Sequence, residues 1–305
     1  MYELIIIGAG PGGTAASVYA ARKQLKTLLI TTDFGGQSVV SSDIQNWIGT
    51  PSISGNDLAL SFEKHVRAYA GEFVEIRIKE RVIKVEQREK KFVVTTDSGT
   101  YETKTVLVTT GSSRKKLDVP GANLFENKGI SYCASCDGPI FSGQDIAVVG
   151  GGNAGFESAA QLLAYCKSVT LLHRSNAFRA DEITVEKVTA HPNMRILKNV
   201  AIKEIIGNTF VTGIKYEDSS GEHILPVSGI FVEIGMIPNT DFVRGLVNTD
   251  EYGRIIIDPR TGKTTLEGIW SAGDCTDVLY HQNNIAAGDA VRALEDIYLF
   301  LRARN

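Results

Sequence analysis

Cys133 and Cys136 are two residues apart in the stretch Ser131-Tyr132-Cys133-Ala134-Ser135-Cys136-Asp137-Gly138-Pro139. Thiols at that spacing can close a small disulfide ring without moving the backbone far, and the arrangement tends to lower one thiol's pKa so that it reacts as thiolate. The same pair could also supply half of a tetrahedral zinc site. Zinc would need two more ligands, and the other cysteines, Cys166 and Cys275, lie far apart with no Cys or His at ligand spacing beside them. The residues therefore favour thiol–disulfide chemistry, and no metal is expected.

Two glycine fingerprints flank this motif. Tyr2 to Ile7 reads as a buried strand, Gly8-Ala9-Gly10-Pro11-Gly12-Gly13 follows at once, and Thr14 to Lys23 reads as a helix. In that context G-x-G-x-x-G points to a dinucleotide, because glycine lets the backbone approach a pyrophosphate at a helix N-terminus; a bare glycine turn is the plainer alternative. The pattern returns as strand Asp145 to Val149, fingerprint Gly150-Gly151-Gly152-Asn153-Ala154-Gly155 and helix Phe156 to Ala164. The separation far exceeds one βαβ unit, so two nucleotide sites in two domains are expected. Thr27 to Ile30 is the second strand of the first site; no acid ends it, and Thr31, Thr32 and Asp33 follow, which leaves the usual ribose carboxylate unassigned. In the second site Val169 to Leu172 is followed by His173-Arg174, with Arg179 downstream. Arginine there can grip the 2′-phosphate of NADPH, where an acid would hold the 2′-hydroxyl of NADH. A merely solvated pair of arginines is the alternative.

Other segments read as connecting structure. Gly35-Gly36-Gln37 opens a loop running through Asn46 and Trp47 to Pro51, and Asp57 to Tyr69 is an amphipathic helix. Phe73 to Glu86 and Lys91 to Thr96 alternate like antiparallel strands, with a turn at Asp97-Ser98-Gly99. Thr105 to Thr110 is a buried strand ending in Gly111, and Ser112 to Lys116 resembles a linker. Asn199 to Tyr216 and His223 to Glu233 form a second small meander. Gly253 to Asp258 and Gly268-Ile269-Trp270-Ser271-Ala272-Gly273-Asp274 read as two strands, the second ending in a Gly-Asp turn, and Asn283 to Leu301 is the final helix. Its small residues Ala286, Ala287 and Gly288 suit either a ligand at the helix N-terminus or close packing on a sheet.

With 305 residues the chain can bury two cores, and a net charge of −3 supplies no general basic field for nucleic acid. Small molecules or proteins are the expected partners. The N-terminal apolar run is too short for a signal peptide and no membrane span follows. Four cysteines in such a chain read as cytosolic thiols, so a cytoplasmic protein is expected.

Two fingerprints, a Cys-x-x-Cys-Asp between them and a terminal Ala-Gly-Asp strand make the whole chain resemble the low-molecular-weight thioredoxin reductases, within the FAD/NADPH pyridine nucleotide-disulfide oxidoreductases. Gly35-Gly36-Gln37, Thr110-Gly111, Phe178-Arg179-Ala180, Ile237-Pro238-Asn239-Thr240 and Gln282 share in the match. The resemblance implies an α/β chain of two Rossmann-like, three-layer ββα domains, the second inserted in the first. An FAD domain would comprise residues 1–114 and 245–305, and an NAD(P)H domain 115–244 would carry the redox cysteines, with two swivelling linkers between. It implies FAD contacts from Gly8, Gly10, Pro11, Gly13, Gly36, Gln37, Asn46, Thr110, Gly111, Gly273, Asp274 and Gln282. NADPH contacts would come from Gly150, Gly152, Asn153, Ala154, Gly155, His173, Arg174 and Arg179. Cys136 would lie next to the flavin, Cys133 would exchange with the substrate disulfide, and Asp137 would be the acid–base group for the thiols. An adjacent carboxylate is useful because a leaving thiolate must be protonated at neutral pH, although Asp-Gly-Pro is also an ordinary turn.

Hydride would pass from NADPH to FAD and on to the Cys133–Cys136 disulfide, and the dithiol would reduce thioredoxin or a thioredoxin-like protein. A homodimer is implied as well. Gly155 replaces the family's usual alanine, and Ser175 stands where a second arginine is common, which weakens the NADPH preference. Pro139 and Gly273-Asp274-Cys275-Thr276-Asp277 look more like the alkyl hydroperoxide reductase flavoprotein, whose N-terminal thioredoxin-like extension is not expected here. The alternatives are another donor (NADH or ferredoxin), a peroxiredoxin system as partner, a small-molecule dithiol oxidase, or a flavin-binding redox sensor. Cys275 has no assigned role.

Overall fold

The first strand, β1 (Tyr2–Ala9), carries the unbroken apolar run Leu4 to Ile7 because both of its faces are covered there. Successive side chains point to opposite faces. Leu4 and Ile6 enter one core with Leu29, Leu107 and the helices, while Ile5 and Ile7 enter another with Val85, Val94 and Ile255. The structure is a computed structural model that describes residues 1–41 and 43–303. It divides into two units, Met1–Ser113 with Ile237–Asn305, and Arg114–Met236.

In the first unit β1 is followed by α1 (Pro11–Arg22), β2 (Thr27–Phe34), α2 (Gly55–Ala70), β3 (Val74–Ile78), β4 (Val82–Arg88), β5 (Lys91–Thr96) and β6 (Thr100–Val108). The sheet runs β3-β2-β1-β6-β5-β4. Ser54 caps α2, its Oγ accepting from Asp57 N at 3.1 Å, and Leu58, Phe62, Val66 and Ala70 repeat at helical spacing on its buried face. The expected antiparallel run Phe73 to Glu86 is two strands of opposite kind. β3 pairs parallel with β2, the chain turns at Lys79 with φ +61°, and β4 then pairs antiparallel with β5. β6 also starts earlier than Thr105: its first half bonds β5 and its second half continues the parallel sheet.

The second unit contains β7 (Ile130–Ser131), a single helical turn Ala134–Asp137, β8 (Asp145–Val149), α3 (Asn153–Leu162) and β9 (Ser168–His173). Next come α4 (Glu182–Thr189), β10 (Met194–Lys198), β11 (Ala201–Gly207), β12 (Val211–Asp218), β13 (Gly221–Pro226) and β14 (Gly229–Val232). The parallel sheet is ordered β10-β9-β8-β14-β7, and β11-β12-β13 is an antiparallel meander. The stretch His223 to Glu233 therefore serves both sheets, its first half in the meander and its second beside β8. α4 and β10 go unread in the sequence; in α4 the β-branched residues Ile183, Thr184, Val185, Val188 and Thr189 mask the helix. The helix is set instead by Asp181, whose Oδ2 accepts from Thr184 N at 2.9 Å.

The chain then returns to the first unit. Gly253 to Asp258 is not a strand: Ile255 makes only isolated bridges to Thr249 and Thr276 while its side chain fills the core. β15 (Ile269–Ser271) pairs parallel with β6, and α5 (Asn283–Ala303) packs against α1. Among the described residues no helix is long and apolar enough to cross a membrane.

Candidate functional site

Cys133 and Cys136 form a disulfide with Cα atoms 5.3 Å apart. The single helical turn between them brings this about, since the N–H groups of Cys136 and Asp137 both donate to Cys133 O, at 3.2 and 3.0 Å. Cys133 is half-buried and Cys136 exposed. Ser131, at the end of β7, orients the turn: its Oγ accepts from Cys133 N at 3.1 Å and donates to Asp137 Oδ2 at 2.6 Å. Arg114 donates to Tyr132 O on the same loop. Burial raises the Asp137 carboxyl above its ordinary pKa, against the opposing pull of the Ser131 hydrogen bond and the Arg114 charge. A carboxyl that keeps its proton closer to neutrality, one residue from a disulfide sulfur, is suited to protonating a leaving thiolate.

In the first unit a cleft of about 1150 Å³ opens at the C-terminal edge of the parallel sheet. That exceeds the roughly 300–1,000 Å³ of a drug-sized site. Gly8, Gly10, Pro11, Gly36, Gln37, Thr110, Gly111, Gly273, Asp274 and Gln282 all line it. Gly13 does not; it seats α1 on β1, where a Cβ would lie 1.7 Å from Gly8 O. Asn46 also stays outside the lining and instead holds Gln282, donating to its Oε1 at 3.1 Å. Asn239 pins the opposite wall, its N donating to Gly111 O and its Nδ2 to Thr110 O, each at 3.0 Å. The N-terminus of α1 has no side-chain cap and no acid in its first turn, so its N–H groups are available to an anion. A long, glycine-walled cleft ending on such a helix fits a flavin dinucleotide. Of the small residues of α5, Ala286 packs on Gly12 and Gly273 and lines the cleft.

The second fingerprint is built the same way. Gly150, at φ +133°, could carry no Cβ because Glu233 O lies 2.1 Å from that position, and Gly155 seats α3 at 2.1 Å from Gly150 O. The uncapped N-terminus of α3 presents Gly152, Asn153 and Ala154, and Asn153 Oδ1 accepts from Asp181 N at 2.8 Å. Arg179 is brought beside them by its backbone N–H, which donates to Gly151 O at 2.9 Å, and Phe178 anchors that segment against Phe156. His173 ends β9, its Nε2 donating to Ala177 O at 2.9 Å. Arg174 and Arg179 are both exposed, and neither guanidinium has an acidic partner among the described residues. A nicotinamide dinucleotide fits this edge.

Three side chains escape a reading by motif. Asp33 lines the cleft because β2 runs on through Phe34, so the strand does end beside an acid. Ser131 is found only through its bonds to the cysteine turn. Glu233 looks like the end of a strand until Ser158 is seen donating to its Oε1 at 2.7 Å. Cys275 is wholly buried against Ser271 and Val108, and burial raises its thiol pKa, so it is a packing residue.

Residues 2–290 match the family model described as pyridine nucleotide-disulphide oxidoreductase. The chain belongs to this family. The family implies a flavin and a nicotinamide cofactor. Its thioredoxin reductase-like fold is shared with the Streptococcus pyogenes thioredoxin reductase, 35% identical, with a TM-score of 0.91 and 99% of each chain covered. The Giardia duodenalis thioredoxin reductase is 29% identical, with a TM-score of 0.92 and 98% of each chain covered. Among curated relatives, an alkyl hydroperoxide reductase component from Escherichia coli is 36% identical over 296 residues, and a Bacillus subtilis protein named NADH dehydrogenase is 36% identical over 294. Each match covers 96% of this chain but 57% of the relative, so the chain spans a little over half the length of these oxidoreductases.

Proposed function

We propose that the chain is an FAD-dependent NADPH:disulfide oxidoreductase of the thioredoxin reductase type, working on thioredoxin or a thioredoxin-like protein. The observation that carries the reading is the Cys133–Cys136 disulfide on a surface turn with the half-buried Asp137 beside it. In this reading the first unit holds FAD and the second NADPH, and together these cofactors supply the two electrons that reopen the disulfide. Asp33 would accept from the ribose hydroxyls at the end of β2, and the α1 and α3 N-termini would each take a pyrophosphate. Arg174 and Arg179, exposed and without acidic partners among the described residues, would hold the 2′-phosphate.

Exchange then follows from the chain's own groups. The Cys133 thiolate attacks one sulfur of the partner's disulfide, that S–S bond breaks, and Asp137 gives a proton to the departing thiolate. The Cys136 thiolate next attacks the Cys133 sulfur, which restores the internal disulfide and frees the second partner thiol. The similarity to the alkyl hydroperoxide reductase component favours, as a second reading, a thioredoxin-like module of a peroxiredoxin system as the partner. A cytoplasmic homodimer completes the proposal. Ile48, Leu279 and Tyr280 are 82%, 85% and 70% exposed on the first unit, with Ile48 N donating to Asn284 Oδ1, and such apolar exposure suits a second copy. The test is nucleotide oxidation with thioredoxin, and separately with a peroxiredoxin and its thioredoxin-like donor. Turnover with NADPH and thioredoxin supports the reading; no turnover with either protein disulfide refutes it.

A further inference from the structure

β8 carries the second fingerprint out of the sheet, with β9 on one side of it and β14 on the other. A dinucleotide whose pyrophosphate sits on the α3 N-terminus must spread over both neighbours. Its adenosine half goes toward the end of β9, where His173 and Arg174 stand, and its other nucleoside goes toward the end of β14. The first side chain beyond that end is Glu233. Its backbone is locked in place, since its N–H donates to Val149 O at 2.8 Å and its carbonyl closes on Gly150 so tightly that no side chain could stand there.

The side chain is held too. Ser158, buried on α3, donates to Oε1 at 2.7 Å, and no hydrogen bond among the described residues reaches Oε2. Arg114 and Glu157 are the charged groups that act on it, and His173 lies across the glycine turn, packed on Gly151. Burial is the largest influence, and it pushes the carboxyl up to about 7. An acid this close to half-ionised is poised to settle into its charged form when a donor arrives.

We infer that Glu233 is a binding residue for the nicotinamide end of the dinucleotide, its Oε2 accepting a hydrogen bond from the carboxamide N–H. This rests on the reading of the second unit as a nicotinamide nucleotide site. Because the contact is on the nicotinamide side, it serves NADH and NADPH alike, whereas Arg174 and Arg179 tell them apart.

The test is calorimetric titration of the flavin-loaded, oxidised protein with NAD+, NADP+ and 2′,5′-ADP, none of which turns over. Glu233→Gln presents an N–H where Oε2 accepts, and should raise Kd for NAD+ and NADP+ by the same factor, about tenfold. Binding of 2′,5′-ADP, which lacks the nicotinamide riboside, should be unchanged. Arg174→Ala should weaken NADP+ and 2′,5′-ADP but not NAD+. In the wild type, Kd for NAD+ should fall as pH rises through about 7 and then level, a dependence that Glu233→Gln removes. Unchanged NAD+ binding in Glu233→Gln, equal weakening of 2′,5′-ADP, or a surviving pH dependence assignable to His173 overturns the inference. A wild-type protein that binds 2′,5′-ADP but neither dinucleotide overturns it as well. A wild-type protein that binds none of the three overturns the nucleotide reading beneath it.

Discussion

Asp137 and Glu233 are carboxyls whose burial opposes ionisation, and each sits beside a serine hydroxyl that donates to it. For Asp137 the consequence is kinetic. Asp137→Asn should lower protein-disulfide turnover by roughly 10²–10⁴-fold while nucleotide still bleaches the flavin at the wild-type rate, as stopped-flow absorbance would report. Cys136→Ser should likewise keep flavin reduction and lose turnover, and it should trap the partner as a mixed disulfide on Cys133, visible by mass spectrometry. Trapping by Cys133→Ser instead would exchange the roles of the two sulfurs.

For Glu233 the consequence reaches stability. Its folded pKa of about 7 lies above the ordinary 4.5, so the folded state holds this proton more tightly than the unfolded chain does. Stability contributed by the neutral carboxyl is complete below about pH 4.5 and is lost as pH rises through about 7, a loss on the order of 3 kcal/mol. Glu233→Gln should therefore match the wild type in denaturant midpoint at acid pH and exceed it at about pH 8. Equal midpoints at both pH values would contradict the burial argument. Cys133, Cys136 and Asp137 are legible in the sequence because their chemistry is local in type and spacing. Ser131, Asp33 and Glu233 are not: Glu233 acquires its partner from a distant helix, Ser131 meets its partners only once the cysteine turn has folded, and Asp33 reaches the cleft only because β2 runs on past Ile30.

At the scale of elements, the two strand–glycine–helix units are readable because steric demand there falls on one residue type. Gly10 and Gly13 separate the two demands made on the first of them. A Cβ on Gly13 would collide with Gly8 O and Thr109 Oγ1, whereas one on Gly10, which lines the cleft, meets among the described residues only Gly36 Cα, at 3.9 Å. Gly13→Ala should lower the melting temperature of the flavin-free protein, because α1 must lift off β1. Gly10→Ala should leave that temperature nearly unchanged and weaken flavin binding, measurable by fluorescence titration. The reverse ranking would contradict the packing described. Other elements are less legible. A short alternating pattern is the same for an antiparallel meander and a parallel edge strand, so Val74–Ile78 declares its sheet only through its neighbour, while Gly229–Val232, buried throughout, lies between two parallel strands. Ile255 shows the converse, an apolar residue in a strand-like pattern that fills the core from a loop.

For the whole molecule, duplication of the nucleotide fold is what the sequence states most loudly, and the first unit is closed by residues from both ends of the chain. The exposed apolar residues of that unit, if they meet a second copy, make Leu279→Glu with Tyr280→Glu a monomer in sedimentation, with its flavin still bound; a double variant that sediments with the wild type would remove these residues from the interface.

In the proposed reaction the pair of electrons brought by nucleotide reaches Cys133–Cys136 through bound flavin. Anaerobic titration with NADPH, following flavin absorbance, tests this most directly. Wild-type protein should take up two equivalents per chain before bleaching is complete, one for the flavin and one for the disulfide, and a Cys133→Ser, Cys136→Ser double variant should take up one. A single equivalent in both proteins, or a flavin that NADPH does not bleach, would contradict the claim.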